Sequence, residues 1–163
     1  PQGLTGQPFK SRGSKHGWWV IAQQQLTHRN GDPTRGLSIF ASLTFPDQAT
    51  SPIDSYQQIG VVYKGPFDVR PEDDIGLGFA RIHVNDDVSK RQNQLNTVSG
   101  ITSYDDPNFV PIQRTEYNME LYYGVHVTDW VTIRPNLQYV RHPGGVYEVD
   151  NAFVAGLKIQ ASF

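Results

Sequence analysis

Two segments of the chain, residues 114–127 and 131–139, carry polar side chains at every second position. Seven side chains share this spacing: Glu116, Asn118, Glu120 and Tyr122 in the first segment, and Arg134, Asn136 and Gln138 in the second. If both segments are extended, a period of two puts each set on one face of a sheet. Carboxylates accept hydrogen bonds, the guanidinium donates them, amides do both, and a phenol ring adds a flat surface. Such a face can bind a polar solute, or its opposite charges can simply neutralise each other across adjacent strands.

Catalytic and metal-binding arrangements are poorly supported by the remaining polar residues. The five histidines are scattered without metal-ligand spacing, and Gly76-Leu77-Gly78 lacks the rest of a dinucleotide-binding motif. The acidic pairs fall in predicted turns, and no local signature marks a nucleophilic serine. We therefore expect no enzyme activity, no catalytic residues, no cofactor and no metal.

The C-terminal segment shows which elements must position the polar face. Residues 153–163 alternate without interruption: Phe153, Ala155, Leu157, Ile159, Ala161 and Phe163 fall on one side, and Val154, Gly156, Lys158, Gln160 and Ser162 on the other. A strand that crosses a membrane needs about 9–11 residues, and one of its faces meets lipid while the other meets water. This pattern favours a transmembrane strand over the strand of a soluble sandwich.

Similar runs bounded by turn residues predict about seven strands and no convincing helix. They lie at about 18–27, 36–45, 55–64, 74–85, 113–127, 131–141 and 151–163, after a predicted loop at 1–16. Because no helical crossovers separate them, neighbouring strands should pair antiparallel as a meander. The predicted fold class is all-β, an antiparallel up-and-down barrel wall in a single domain over 1–163.

Aromatic residues fall near both ends of these strands, as expected at two membrane interfaces. If the last strand runs toward the periplasm, the upper belt contains Phe45, Tyr117, Tyr139, Phe153 and one of Trp18 and Trp19, and the lower belt contains Tyr63, Trp130 and Phe163. The turns 28–35, 65–73 and 128–130 would then be periplasmic, and the loops 46–54, 86–112 and 142–150 external. The longest loop, 86–112, could fold over the mouth or be a mobile surface loop.

Two strands contain irregularities. In residues 75–85, Ile75, Leu77 and Phe79 have one parity while Ile82 and Val84 have the other, so a bulge near 78–81 would turn Arg81 and His83 inward. Pro135 lacks a backbone donor and predicts a bulge or local defect in its strand.

Composition sets further bounds. The chain has 163 residues, a net charge of −2, no cysteine and no cluster of basic residues, so nucleic-acid binding is not indicated. The longest apolar run is far too short for a membrane helix. The chain opens on Pro without a signal region, which we interpret as a processed form or a piece of a longer protein.

The sequence resembles the C-terminal part of the OprB-type carbohydrate-selective porins over nearly all of residues 17–163. The segments that carry the resemblance are GWWVIAQQQ, GDPTRGLSIFASL, YKGPFDVRPEDDIGLGFAR, HVND, ELYYGVHVTDWVTIRPNLQYVRHPGG and DNAFVAGLKIQASF. The resemblance implies a sixteen-stranded barrel in the outer membrane of a Gram-negative bacterium that passes glucose-type sugars by facilitated diffusion. Because this chain supplies about seven strands, we expect it to be a C-terminal fragment.

The resemblance also implies partners and site residues. The partners are sugars, outer-membrane lipid and, through Phe163, the barrel-assembly machinery. The residues expected to face the lumen and contact sugar are Arg134, Glu116, Glu120, Asn118, Tyr122, Asn136, Gln138, Lys158 and Arg81. Which sugar is preferred, the pore size and the oligomeric state do not follow from the sequence.

A soluble β-sandwich that binds carbohydrate, similar to a lectin, is the alternative interpretation. The two hypotheses make opposite demands on four residues: Leu121, Leu137, Leu157 and Ile159. A barrel exposes them to lipid, whereas a sandwich packs them against a second sheet.

Overall fold

The computed structural model describes residues 13–162, which form one antiparallel sheet of seven strands in sequential order. The strands are β1 (Gly17–Gln25), β2 (Gly36–Pro46), β3 (Ile53–Lys64), β4 (Asp74–Val84), β5 (Thr115–Thr128), β6 (Val131–Arg141) and β7 (Ala152–Ala161). Each strand is joined to the next by a turn or loop at one end of the sheet, as a meander requires. The predicted all-β, up-and-down fold class is confirmed.

The two faces of the sheet differ in chemistry. Leu77, Leu121 and Leu137 are Cα partners across β4, β5 and β6 and lie on one side, which we call the apolar face. Glu120 and Gln138 are partners in the next row and lie on the opposite side, which we call the polar face. The parity predicted for β5, β6 and β7 is therefore present in the pairing register.

The apolar face is open. Leu137 and Leu157 are 61% and 64% exposed, and Leu121 and Ile159 are exposed as well. Within residues 13–162 there is a single sheet, and its buried hydrophobic residues are limited to Ala80, Val84 and Val146. A sandwich would cover these leucines with a second sheet, so the soluble sandwich is not favoured.

The longest connection of the sheet, residues 85–114, lies at one of its two ends. At what we call the short-turn end, residues 26–35, 65–73 and 129–130 join the strands, and at the long-loop end the connections are 47–52, 85–114 and 142–151. On the apolar face near the long-loop end, Trp18 stacks on Phe45 with ring centroids 4.4 Å apart, and Tyr139 contacts Phe153 at 4.8 Å. Trp18, rather than Trp19, thus joins the aromatic residues at this end. Phe163 lies outside the described residues.

A buried carboxylate fixes the short-turn end. Asp73 is 1% exposed and accepts hydrogen bonds from the Arg70 guanidinium, the Tyr123 hydroxyl at 2.6 Å and the backbone N–H of His126 at 2.9 Å. Burial by itself would raise the pKa of this carboxyl, but the hydrogen bonds outweigh it and lower the pKa of Asp73 to about 2. The carboxylate thereby ties the 65–73 turn to β5.

The prediction of no helix is wrong for the longest loop. Helix α1 (Asp86–Val98) begins at the cap residue Asn85, whose side chain accepts from the Asp87 N–H. The helix lacks an apolar stripe, which is why hydrophobic periodicity missed it. No helix among residues 13–162 is long and apolar enough to cross a membrane.

Polar side chains at helical spacing hold α1 in place instead. Asn96 donates to the Val110 carbonyl at 2.9 Å and accepts from the Val110 N–H at 2.8 Å, and Gln92 accepts from the Gln113 N–H at 2.8 Å. Asn85 donates to the Gln48 carbonyl in the neighbouring loop at 2.6 Å. The loop is therefore a folded unit clamped to its neighbours.

The predicted bulge in β4 is also wrong. Partners run without a shift from Asp74↔Gly124 to His83↔Thr115 against β5, and the irregularity lies instead in β3, between Ile53 and Ser55. Pro135 still pairs with Leu157 of β7. On its other side the pairing between β5 and β6 is interrupted, but the register of these two strands is the same before and after the gap. Pro135 thus removes ladder contacts, because it has no N–H, without adding a bulge.

Candidate functional site

The polar face brings together eight of the nine predicted site residues. Strand β5 contributes Glu116, Asn118, Glu120 and Tyr122, β6 contributes Arg134, Asn136 and Gln138, and β7 contributes Lys158. Gln138 donates to the Glu120 carboxylate at 2.9 Å, and Tyr122 and Asn136 are partners in the adjacent row. Donors and acceptors therefore alternate across neighbouring strands on one surface.

Arg134 lies in the row of this surface nearest the short-turn end, beside Lys158 of β7. Its Nη2 atom is 3.4 Å from the Asp74 carboxylate, and its guanidinium carbon is 5.4 Å from the centre of the Tyr122 ring. Asp74 is nearly buried, whereas the Arg134 side chain is about a third exposed. The ion pair holds the guanidinium beside the ring while part of it still faces solvent.

Two glycines on the polar face let aromatic rings lie flat against the sheet. A Cβ atom at Gly76 would come within 2.2 Å of the Tyr122 ring, and a Cβ at Gly60 would come within 2.5 Å of the Phe40 ring. Both distances are far below van der Waals contact, so each ring occupies space that any other residue would fill. The missing side chains therefore give the sheet two flat aromatic surfaces.

The flat rings and the amides line a shallow concavity of about 400 Å³. Its polar-face lining includes Phe40, Tyr56, Gln58, Glu120, Tyr122 and Gln138. Sequence reasoning missed Phe40 and Asp74. The signal that could have found them is a glycine directly opposite on the neighbouring strand: Gly60 faces Phe40, and Gly124 faces Asp74.

Two other predicted residues have different surroundings. Glu116 accepts from the Asn118 amide at 2.7 Å and from the Gly144 N–H at 2.5 Å, so it ties β5 to the 142–151 connection. Lys158 is exposed and makes no ion pair with the residues that the structure describes. The Glu116 carboxylate is therefore already hydrogen-bonded within the protein, whereas the exposed Lys158 ammonium can contact a solute.

The predicted facing of Arg81 is wrong. Arg81 is the partner of Gln57 and Tyr117, on the same face as Leu77 and Phe79, because β4 has no bulge to reverse its parity. It lies on the apolar face, near the long-loop end. It does not join the other eight residues.

Comparison with known proteins decides the family. The family model described as carbohydrate-selective porin, OprB family, matches residues 1–163. The chain belongs to the OprB family. OprB members are porins, which are channels rather than enzymes.

Relatives of known sequence and structure agree with OprB membership. Porin B of Pseudomonas aeruginosa is 72% identical over the whole chain, and putative porin QuiX of Acinetobacter baylyi is 45% identical over 98% of it. The high-pH structure of Pseudomonas putida OprB matches the whole chain with a TM-score of 0.96 at 69% identity. The low-pH structure of the same porin matches 92% of the chain with a TM-score of 0.66 at 51% identity.

The OprB relatives are longer than this chain. The chain spans 36% of Porin B, 37% of putative porin QuiX and 39% of the high-pH structure. The fold and family described above belong to this chain, whereas the activity of the longer proteins is a separate matter.

Proposed function

We propose that this chain forms part of the wall of an outer-membrane porin through which carbohydrates diffuse. The observation that carries the proposal is the two-faced sheet: exposed leucines on one side, and on the other a hydrogen-bonding surface with flat rings. Membership in a family of carbohydrate-selective porins supports the same interpretation. The polar face would line a water-filled bore, and the apolar face would contact acyl chains.

A sugar suits the polar face chemically. Its hydroxyls can bond to Glu120, Gln138 and the exposed part of Arg134, while its C–H faces can pack on the rings of Tyr122 and Phe40. A channel must also release its cargo, so several weak contacts serve conduction better than one strong site. Asn118, Asn136 and Lys158 extend the surface along the same face.

The same geometry supports a location in the outer membrane. The seven strands would be joined by strands outside this chain to close a wide barrel of about sixteen, as a single barrel domain in a Gram-negative outer membrane. The short-turn end would face the periplasm and the long-loop end the outside, because such barrels carry their longer loops externally. Phe163, outside the described residues, would contact the barrel-assembly machinery.

Two arginines on β6 allow a matched test in the full-length porin. Arg134 lies on the polar face and Arg141 on the apolar face. Replacing Arg134 with Ala should weaken sugar block of the current in planar bilayers by about tenfold, since one hydrogen bond to a charged group contributes about 1.5 kcal/mol. Arg141→Ala should leave sugar block unchanged. Identical sugar responses in the parent and Arg134→Ala would contradict the proposal.

A further inference from the structure

One row of the apolar face is not apolar. Moving toward the long-loop end, the row Ile59, Phe79, Met119, Tyr139 and Phe153 is followed by the row Gln57, Arg81, Tyr117 and Arg141. Rows on one face are two residues apart, which is about 7 Å along the strands. From one row to the next, the apolar face therefore changes from apolar and aromatic side chains to a row that carries two guanidinium groups.

The two arginines of this row lack acidic partners. Arg141 is exposed and makes no ion pair within residues 13–162, and the Arg81 guanidinium makes none there either but donates a hydrogen bond to the Ser55 hydroxyl at 3.4 Å. By contrast, Arg35, Arg70 and Arg134 all pair with carboxylates. Arg81 and Arg141 flank Tyr117 on adjacent strands, which puts their Cα atoms about 10 Å apart. Both positive charges are left for an external ligand.

A concavity of about 550 Å³ adjoins this row on the same face. Phe79, Met119 and Tyr139 line its apolar part, and Arg141, His142 and Tyr147 line the part toward the long loops. Arg81 does not line the concavity but lies next to it, as the partner of the lining residue Tyr117. The Tyr147 ring stacks on His142 with centroids 4.1 Å apart, and the Arg114 guanidinium lies 5.3 Å from the centre of the same ring. The concavity is thus amphipathic along the strand direction.

We propose that Arg81 and Arg141 bind the phosphate of a phosphorylated membrane lipid, whose acyl chain lies over Phe79 and Met119. This inference rests on the proposed function, because it requires the apolar face to meet lipid. Arginine binds phosphate through two parallel hydrogen bonds, and the aromatic row lies directly below, at the depth where rings mark a membrane interface. A lipid fits both halves of the concavity, whereas a soluble anion would use only the charged half.

The test uses the full-length porin in detergent, titrated with lipid A that carries two phosphates and followed by native mass spectrometry. The double variant Arg81→Gln/Arg141→Gln should bind this lipid at least tenfold more weakly than the parent. Lys90→Gln, which removes an exposed charge from α1 at the same end, should bind like the parent. Arg141→Lys keeps the charge but loses the paired hydrogen bonds, and should fall between the parent and Arg141→Gln.

Two further arms identify the ligand. Lipid A stripped of phosphate should bind the parent and the double variant equally weakly, and millimolar inorganic phosphate should not displace the intact lipid. Equal affinity of parent and double variant for phosphorylated lipid A, or an equal loss in Lys90→Gln, would overturn the proposal. So would a change in oligomeric state of the double variant without any loss of lipid, which would assign the row to a protein contact.

Sugar block of the Arg141→Gln pore separates this inference from the proposed function. Unchanged sugar block together with unchanged lipid binding would refute the lipid site alone. A parent that shows no sugar-dependent current would refute the proposed function whatever lipid it binds.

Discussion

Gly76 provides a sharp test of the flat aromatic surface on the polar face. A Cβ at this position would lie 2.2 Å from the Tyr122 ring, whereas ordinary contacts begin near 3.4 Å, so in Gly76→Ala the ring must move by about 1.2 Å. The ring lies over Gly76 on the polar face, so it has to tilt away from the sheet to make room for the methyl group. This tilt would disrupt its contact with the Arg134 guanidinium, now 5.4 Å from the ring centre.

The expected loss of stability in Gly76→Ala follows from overpacking. Forcing an extra methyl group into a filled site destabilises a protein by about 1–3 kcal/mol. An aromatic stacking contact contributes about 0.5–1.5 kcal/mol, and tenfold in affinity corresponds to about 1.4 kcal/mol, so displacing the ring should weaken sugar block by roughly two- to tenfold. The loss of stability and the weaker sugar block should appear together, because the same displacement of the Tyr122 ring causes both.

Gly78 supplies the control for Gly76→Ala. It lies on the same face of the same strand, and a Cβ there would meet no atom within 4 Å. Gly76→Ala and Gly78→Ala would be compared with the parent in planar bilayers by titrating sugar against single-channel current, and by urea unfolding in vesicles. Equal sugar block in all three, with equal stability, would refute the reasoning that Tyr122 owes its position to the missing side chain.

Three further perturbations test other parts of the account. Leu157→Arg should destabilise the inserted porin by about 2–4 kcal/mol in vesicle unfolding, while Lys158→Arg should not. Asp73→Ala should lower stability at pH 7 by roughly 1–3 kcal/mol. Because the folded pKa of Asp73 is about 2, below its usual 3.8, the parent should lose this advantage as the pH falls from about 4 toward 2. Asn96→Ala should speed hydrogen exchange at Val110, unlike Asn93→Ala on the exposed side of α1.

The strands and their faces were predictable because one physical rule governs them. In β5, β6 and β7 each side chain lies on either the apolar or the polar face, so alternation in the sequence translates directly into alternation in the sheet. Turn residues such as Asn30 and Gly31, both with positive φ, bounded the strands correctly. Eight of the nine site residues share one face for this reason.

The features that were missed depend on contacts between strands and loops, which the sequence of a single strand does not show. Arg81 was assigned to the wrong face because the apolar residues of β4 change parity, and Ile82 and Val84 lie on the polar face near the folded loops. Helix α1 is held by amide side chains, so hydrophobic periodicity gave no signal. Phe40 became visible only through its partner Gly60, which is 20 positions away in the chain.

Site-directed spin labelling of β7 tests the central claim most directly. This chain contains no cysteine, so labels at Leu157→Cys and Lys158→Cys report adjacent positions on opposite faces. In the full-length porin in vesicles, the label at 157 should relax faster with oxygen, which concentrates in hydrocarbon, and the label at 158 with a water-soluble nickel complex. Equal access of the nickel complex to both labels, or the reverse assignment, would contradict a wall with one face in lipid and one in water.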